Sequence, residues 1–314
     1  MKNNENTIRI VSVNISTEKG VIKHPVDEIV LDENGIINDA HAGRWHRQIS
    51  LLADESVQKF NKIIGREVGY GEFAENITTT GILWYTVNPF DLIRIGDALL
   101  EVTQIGKKCH GDNCAIYREV GNCVMPKEGI FTRVIHGGIV KPRMEVEYLP
   151  KVLDVRVITL SDRAFRGEYE DLSGPETAKI LSQWAEKQGY PITISATVLP
   201  DEEELLEGTL LKAMEEGADA VFTTGGTGVG PRDITPGVVY RCIDKEIPGI
   251  MEMIRMKYGE KKPNALLSRG VAGVMGKTLV YAMPGSVKAV KEYTVEILTT
   301  MKHLFFMIHG IDNH

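Results

Sequence analysis

The chain has 314 residues, which at roughly 150 residues per ordinary domain predicts two domains, each able to build a core without disulfide or metal staples. Charged residues are 25% and hydrophobic ones 43%, a balance that excludes a disordered or collagen-like chain. Residues 1–150 carry 17 basic and 20 acidic side chains and the remainder 19 and 23, giving a net charge of −7, so neither half has the basic excess of a nonspecific nucleic-acid or anionic-membrane binder.

The opening MKNNENTIRI has no apolar stretch after its lysine, and no apolar run approaches the roughly 18 residues needed to span a bilayer, so a cytoplasmic protein is expected. Four cysteines are too few for a disulfide framework. Cys109, Cys114 and Cys123 cluster and Cys242 stands alone, and reduced thiols are expected.

Up to about residue 150, short β-branched runs alternate with turn signals: IRIVSVNIS, VDEIVLDENGI, ENITTTGI, DLIRIGDALLEVTQI and RMEVEYL. This half reads as β-rich. One amphipathic helix is predicted in LLADESVQKFNKIIG, where Leu51, Val57, Phe60 and Ile64 recur near helical spacing. After Pro150 the pattern becomes buried strand followed by long amphipathic segment, placing the domain boundary there, with domains 1–150 and 151–314. DVRVITL precedes GPETAKILSQWAEKQG, with Pro175 in the first helical turn and Gly189 at the stop. TISATVL precedes DEEELLEGTLLKAMEEG, ADAVFTT precedes a glycine-rich loop and TPGVVYRCID, and TLVYAMPG precedes a long closing helix. Alternation of this kind predicts an α/β domain with a mostly parallel sheet.

The strongest chemical signal is FTTGGTGVGPRD, which puts Gly225, Gly226, Gly228 and Gly230 directly after a buried strand. Glycines there let main-chain amides approach an anion, and a helix starting near Thr235-Pro236 would add its positive end. The segment is neither a Walker A loop nor the dinucleotide GxGxxG, and on glycines alone an ordinary turn is an equal alternative. Ser161-Asp162-Arg163, Asp201 and Asp233 also follow predicted strand ends, where open parallel sheets bind ligands. Asp201 has a helix-capping alternative, and Asp233 could pair with Arg232 or cap the Thr235 helix. Taken together, the two carboxylates beside an anion loop suit Mg2+ bridging to phosphates.

The ordered blocks SDRAFRGEYEDLSGPET, VLPDEEE, TTGGTGVGPRDITP, PGIMEMIR, LLSRGVAGV and MPGSVKAVKE, across residues 155–309, closely resemble the molybdopterin adenylyltransferase family of molybdenum-cofactor biosynthesis. The resemblance implies a three-layer α/β/α fold, often a homotrimer, that uses ATP, Mg2+ and molybdopterin to make adenylyl-molybdopterin and pyrophosphate. Asp201 and Asp233 match its catalytic or metal-binding aspartates, and Ser161, Asp171, Ser173 and Gly174 its early strand-end serine and Asp-x-Ser-Gly segment. Thr224, Gly225, Gly226, Thr227 and Gly228 match the nucleotide loop, Ser268 and Arg269 the pterin side, and Pro284, Gly285 and Lys288 a late loop. Gly237 stands where the family usually has an acid, so no carboxylate role is assigned there and a weaker helix start is expected. An acceptor phosphate is already ionised at neutral pH, which removes the need for a strong base; His303 and His309, on the last helix, read as structural or surface.

In the N-terminal half, Cys109-His110, Cys114, Cys123 and His136 lack the paired short spacings of a zinc site. Lys107, Lys108 and His110 flank Cys109, an electropositive setting for a reactive thiol, against the alternative of an inert buried cysteine. The order GIINDAHAG, QISLL, EFAENITTTGI, IRIGDALLEVTQIGKKC and GIFTRVIHGGIVK resembles the MOSC domain. The resemblance implies a β-rich, barrel-like fold and a cofactor-binding or sulfur-carrier role through Cys109. The family usually has Gly where Asn38 precedes Asp39; His41 and Arg44 are candidate pterin-phosphate contacts beside turn capping and surface pairing, and Glu75 and Asn76 read as structural.

The combined reading is a bifunctional cofactor-biosynthesis protein: an adenylyltransferase fused to a domain that binds or sulfurates the molybdenum cofactor. Its partners would be small-molecule substrates, a second and third copy of itself, and a molybdenum-insertion protein or molybdoenzymes, with no nucleic acid and no membrane. The alternatives are a non-catalytic molybdopterin carrier and, more weakly, a hydrolase of another nucleotide.

Overall fold

The computed structural model describes residues 7–107 and 123–311. The chain forms two compact units, one ending at Lys151 and grouped with the last residues from Gly310, the other running from Val152 to His309. No helix among the described residues is long and apolar enough to cross a membrane.

The first unit contains strands β1 (Arg9–Ile15), β2 (His24–Val26), β3 (Ile29–Asp32), β4 (Gly35–Ile36), β5 (Ile49–Ala53) and β6 (Ile77–Thr80). They are followed by β7 (Leu92–Ile95), β8 (Ala98–Ile105), β9 (Ile130–His136), β10 (Gly138–Val140) and β11 (Glu147–Leu149). Helix α1 (Asp54–Ile64) follows β5, and the short α2 (Met125–Glu128) precedes β9. Eight strands make one sheet in the order β11, β7, β8, β9, β5, β6, β1, β2, and β10, β3 and β4 make a small second one. The larger sheet curls around Trp84, Ile93, Leu100 and Ile130, all fully buried. Residues just before β11 reach back to β1, where Ile10 N donates to Met144 O at 2.9 Å and Val146 N to Ile8 O at 2.9 Å. In place of the expected barrel the unit is a strand-rich, curled half-barrel with β2 at one edge, and Pro25 within β2 has no N–H to extend the ladder. Leu51 lies in the fully buried β5, flanked by β9 and β6, so α1 starts three residues after it and ends at Gly65 in the left-handed region (φ 72°).

The second unit is built on β12 (Leu153–Leu160), β13 (Ile192–Leu199), β14 (Ala220–Thr224), β15 (Lys245–Glu246), β16 (Val271–Met275) and β17 (Thr278–Met283). Their order is β13, β12, β14, β17, β16, β15, parallel through β17 and antiparallel beyond it. The sequence pattern misses β16, because Val271–Met275 has two small residues among its five and no polar alternation. Its helices are α3 (Asp162–Phe165), α4 (Ser173–Gln188), α5 (Glu203–Glu215), α6 (Thr235–Cys242), α7 (Pro248–Gly259) and α8 (Val287–Ile308). Period-two alternation sorts the strands: Ile158, Leu160, Val221 and Val280 pack with Leu206 and Leu210 of α5 and Val238 of α6. Helices α4 and α8 pack on each other, and α4 also lies against β12, β13 and β14. The chain leaves β12 toward β13 and leaves β14 toward β17, so a crevice opens between β12 and β14 at their carboxyl ends.

In the first unit a polar network fills the region around the start of the MOSC-like motif. Asn38 adopts the left-handed region (φ 69°), a conformation Asn tolerates better than most residues, so the turn that usually carries Gly is kept. The buried Asp39 accepts from Lys23 Nζ at 2.6 Å, Asn76 Nδ2 at 3.1 Å, Ser16 N at 3.2 Å and His41 N at 2.9 Å. Burial raises the Asp39 pKa, but hydrogen bonds from His41 and Lys23 and the Lys23 charge outweigh it and hold the carboxyl below its ordinary range. Glu75, fully buried, accepts from Gly71 N at 2.6 Å and Thr78 Oγ1 at 3.0 Å, while its Oε2 has no hydrogen-bond partner among the described residues. Burial pushes its pKa up from 4.5 to about 7. The folded protein therefore binds a proton that the unfolded chain releases, and stability falls as pH rises through this window. We expect wild-type stability to drop by up to about 3 kcal/mol between pH 4.5 and 7 at this unit, and Glu75→Gln to remove most of that slope in urea titrations; an unchanged slope would refute the buried protonated acid.

Candidate active site

Four parallel strands end together. Thr159 aligns with Thr224, Leu160 with Leu199, and Thr224 with Met283, so the loops after β12, β13, β14 and β17 emerge at one edge. Two glycines let these loops meet. Gly225 has φ 104°, and a Cβ there would lie 2.3 Å from the Leu160 carbonyl oxygen; a Cβ on Gly285 would lie 3.0 Å from Gly225 Cα. Gly225 N donates to Met283 O at 2.9 Å, tying the β14 and β17 loops together.

Helix α6 supports the loop from behind. Thr235 N donates to Gly226 O at 3.1 Å and its hydroxyl to Gly225 O at 2.9 Å. The N-terminal end of α6 thus braces the glycine loop through Thr235, and its first turn holds no acid. Arg269 donates to Gly228 O at 2.7 Å and to Asp233 O at 2.6 Å, so it clamps the loop. Asp233 accepts from Gly230 N at 2.7 Å and does not cap α6, whose N-cap is Ile234.

Asp201 does not cap α5, whose N-cap is Glu202. Instead Asp201 and Asp162 bond reciprocally: Asp201 N donates to Asp162 Oδ1 at 2.9 Å, and Asp162 N to Asp201 Oδ2 at 3.4 Å. Arg232, largely exposed, ion-pairs with Asp162 and reaches Asp201 Oδ2 at 3.6 Å. The Asp201 pKa is raised, first by burial and then by the negative charge of Asp233, which brings the two acids into one electrostatic neighbourhood. In the sequence Asp162 appears only inside Ser161-Asp162-Arg163, and nothing there predicts its pairing.

A cavity of about 420 Å3 opens beside the loop, lined by Gly226, Thr227, Gly228 and Asp233 on one side and Ser268, Pro284, Gly285 and Lys288 on the other. Lys262, Asn264 and Tyr293 also line it, residues without a sequence signal of their own. Other expected site residues lie behind this surface. Asp171 accepts from Ser173 N at 2.9 Å, Gly174 N at 3.1 Å and Thr159 Oγ1 at 2.7 Å, and Ser173 Oγ meets Thr224 Oγ1 at 2.9 Å. That buried chain holds the start of α4 against β12 and β14. Ser161 caps α3 by accepting from Ala164 N at 3.2 Å. His303 lies on α8 and His309 at its end.

Asp233 on the cavity wall, with Asp201 in its electrostatic reach, supplies oxygen donors of the kind a hard cation takes, in a cavity large enough for a whole small-molecule ligand. Among the described residues no group of three or more His, Cys, Asp or Glu side chains is arranged to hold a metal ion.

In the first unit a smaller cavity of about 150 Å3 is lined by His41, Trp45, Arg47, Asn76 and Lys107. His41 Nδ1 is 3.4 Å from Asp39 Oδ1, whereas Arg44 is exposed and 4.0 Å from Glu33. Asn76 is buried and bonded to Asp39 at 3.1 Å, so Glu75 and Asn76 both serve the packing of this unit. Cys109, His110 and Cys114 lie outside the described residues. Cys123 is buried, and His136 donates to the carbonyls of Asp97 and Gly137.

Residues 156–303 match the family described as a probable molybdopterin binding domain, and residues 38–147 match the MOSC domain. A molybdopterin adenylyltransferase of Helicobacter pylori is 35% identical over 161 residues, covering 51% of this chain and 90% of that protein. The chain belongs to the molybdopterin adenylyltransferase family. The nucleotidyltransferase of that name in Escherichia coli is 34% identical, with 51% and 80% covered. A solved structure of the molybdopterin biosynthesis enzyme MoaB from Thermus thermophilus is 38% identical, covering 50% of this chain and 97% of that one, with a TM-score of 0.45. In this chain the adenylyltransferase-family half is joined to a MOSC half.

The glycine loop yields a direct test. Gly225→Ala should cost about 2 kcal/mol or more in denaturant titrations, because positive φ and the Leu160 carbonyl both oppose a side chain, whereas Gly237→Ala, with open space around it, should be neutral or stabilising. Equal stability of the two variants would contradict the close approach.

Proposed function

We propose that the C-terminal unit transfers AMP from ATP to the terminal phosphate of molybdopterin in molybdenum-cofactor biosynthesis. The observation that carries the reading is a cavity of about 420 Å3 lined by Asp233 and the Gly226–Gly228 main chain, with Asp201 near enough for the Asp233 charge to act on it. In the reaction an oxygen of the acceptor phosphate attacks the α-phosphorus, the bond from that phosphorus to the β-phosphate oxygen breaks, and pyrophosphate leaves with the electron pair. The acceptor oxygen is ionised at neutral pH, so the protein needs position and charge rather than a base. Main-chain amides of the glycine loop orient the phosphates, and Arg269 keeps that loop closed through Gly228 and Asp233. Asp201 and Asp233 would hold Mg2+, which when bound supplies the positive charge that offsets the nucleotide's phosphates. Lys288 and Ser268 line the same cavity.

The first unit is read as the cofactor-handling partner, with Cys109 as its thiol, in a cytoplasmic homotrimer that passes product to a molybdenum-insertion protein or a molybdoenzyme. Joining the two sites in one chain raises the local concentration of one product at the other site. A persulfide or other thiol adduct detected by mass spectrometry on Cys109 and lost in Cys109→Ser supports that role; its absence from protein incubated with a sulfur donor removes it.

The full chain with ATP, Mg2+ and purified molybdopterin should release pyrophosphate and form adenylyl-molybdopterin. Asp201→Asn and Asp233→Asn should each lower the rate by about a hundredfold or more. Since the folded Asp201 carboxyl has a raised pKa, its charge destabilises the fold above that pKa and not in acid, so Asp201→Asn should match or exceed wild-type thermal stability at pH 7 while losing activity. Stoichiometric pterin binding without pyrophosphate release would make the protein a carrier instead.

A further inference from the structure

The wall of the cavity opposite the acids carries an unusual pair of like charges. Lys288 lies in the first turn of α8, and Lys262 precedes the segment that leads to Ser268. Both are exposed and both line the cavity. Contact with Lys288 is the first cause that lowers the Lys262 pKa, followed by burial and the Lys288 charge, with Glu292 acting in the opposite sense. Two cations beside one glutamate leave the wall with a net positive charge.

The helix makes the arrangement more costly. The N-terminal end of α8 carries the positive end of the helix dipole, and its first turn has no acidic residue. A lysine there, with a second lysine beside it, is unfavourable unless an anion completes the site. A third feature points into the same space: Tyr293 is 3% exposed and lines the cavity, and its hydroxyl, facing Ser268, has no hydrogen-bond partner of good geometry among the described residues. A buried hydroxyl without a partner is unfavourable, and a small shift that opened it to a ligand oxygen would satisfy it.

We propose that Lys262 and Lys288, with the α8 N-terminus and the Tyr293 hydroxyl, form a phosphoryl subsite in which Lys262 is a positioning residue for adenylyl transfer. The inference rests on the reaction proposed above for the identity of the phosphoryl group, which belongs either to the pyrophosphate portion of the nucleotide or to the monoester phosphate of the acceptor. Lys262 is exposed, so its charge can be removed with little change to the core.

Calorimetric titration of the full chain with inorganic pyrophosphate and, separately, with inorganic phosphate tests it. Lys262→Gln should weaken at least one of these anions about tenfold and flatten its salt dependence, Lys262→Arg should restore most of the affinity, and thermal stability should stay the same or rise as the repulsion is removed. Loss in the pyrophosphate arm goes with a higher KM for ATP, and loss in the phosphate arm with a higher KM for molybdopterin, kcat moving less in either case. Absent binding, or equal binding and equal KM values in wild type and Lys262→Gln, overturns the subsite. Binding that depends on Lys262 without any AMP transfer leaves the subsite standing and removes the adenylyltransferase reading. AMP transfer by Lys262→Gln with wild-type KM values for both substrates and wild-type anion binding does the reverse.

Discussion

The site depends on a main-chain contact more than on any side chain: Gly225 lies against the Leu160 carbonyl on one side and Gly285 on the other. Three loops after parallel strands can meet so closely only where no Cβ intervenes. Parallel register sets the height at which each loop leaves the sheet, and the hydrogen bond from Gly225 to Met283 O locks two of them together. Asp201, Asp233 and the Ser268–Lys288 wall then take positions that follow from where the strands stop.

Charge is divided across the loop. Arg232 is the exposed counter-ion of Asp162 and Asp201, while Asp233, Lys262, Lys288 and Glu292 all line the cavity. Such a layout suits a substrate that is anionic along its length but needs a cation at one end and ammonium groups at the other. Arg269 does not contribute its charge to the cavity in this way, because its guanidinium is spent on the carbonyls of Gly228 and Asp233.

Much of the architecture was legible where periodicity was strong. The α4 helix and its Gly189 stop, the strand before the glycine loop and the α6 start all follow from local rules. Local rules fail where tertiary pairing decides. Leu51 shares helical spacing with Val57 and Phe60, yet burial between two strands puts it in β5. Pro25 lies in an edge strand of the half-barrel, a placement visible only once β2 is known to be an edge. Asp201 and Asp233 had capping alternatives on sequence grounds, which Glu202 and Ile234 remove by occupying those positions. Asp162, Lys262 and Tyr293 left no pattern, since their roles come from neighbours distant in the chain. Asn38 illustrates the converse: the sequence departs from the usual Gly, and the left-handed backbone is retained.

The central claim is that Asp201 and Asp233 share a cation with bound nucleotide. Electron paramagnetic resonance of Mn2+ added to the full chain, with and without ATP, measures this directly. The account predicts weak Mn2+ binding alone, at least tenfold tighter binding with ATP, and loss of that gain in both Asp201→Asn and Asp233→Asn. Mn2+ affinity that ATP does not change, or that either substitution leaves intact, would contradict it.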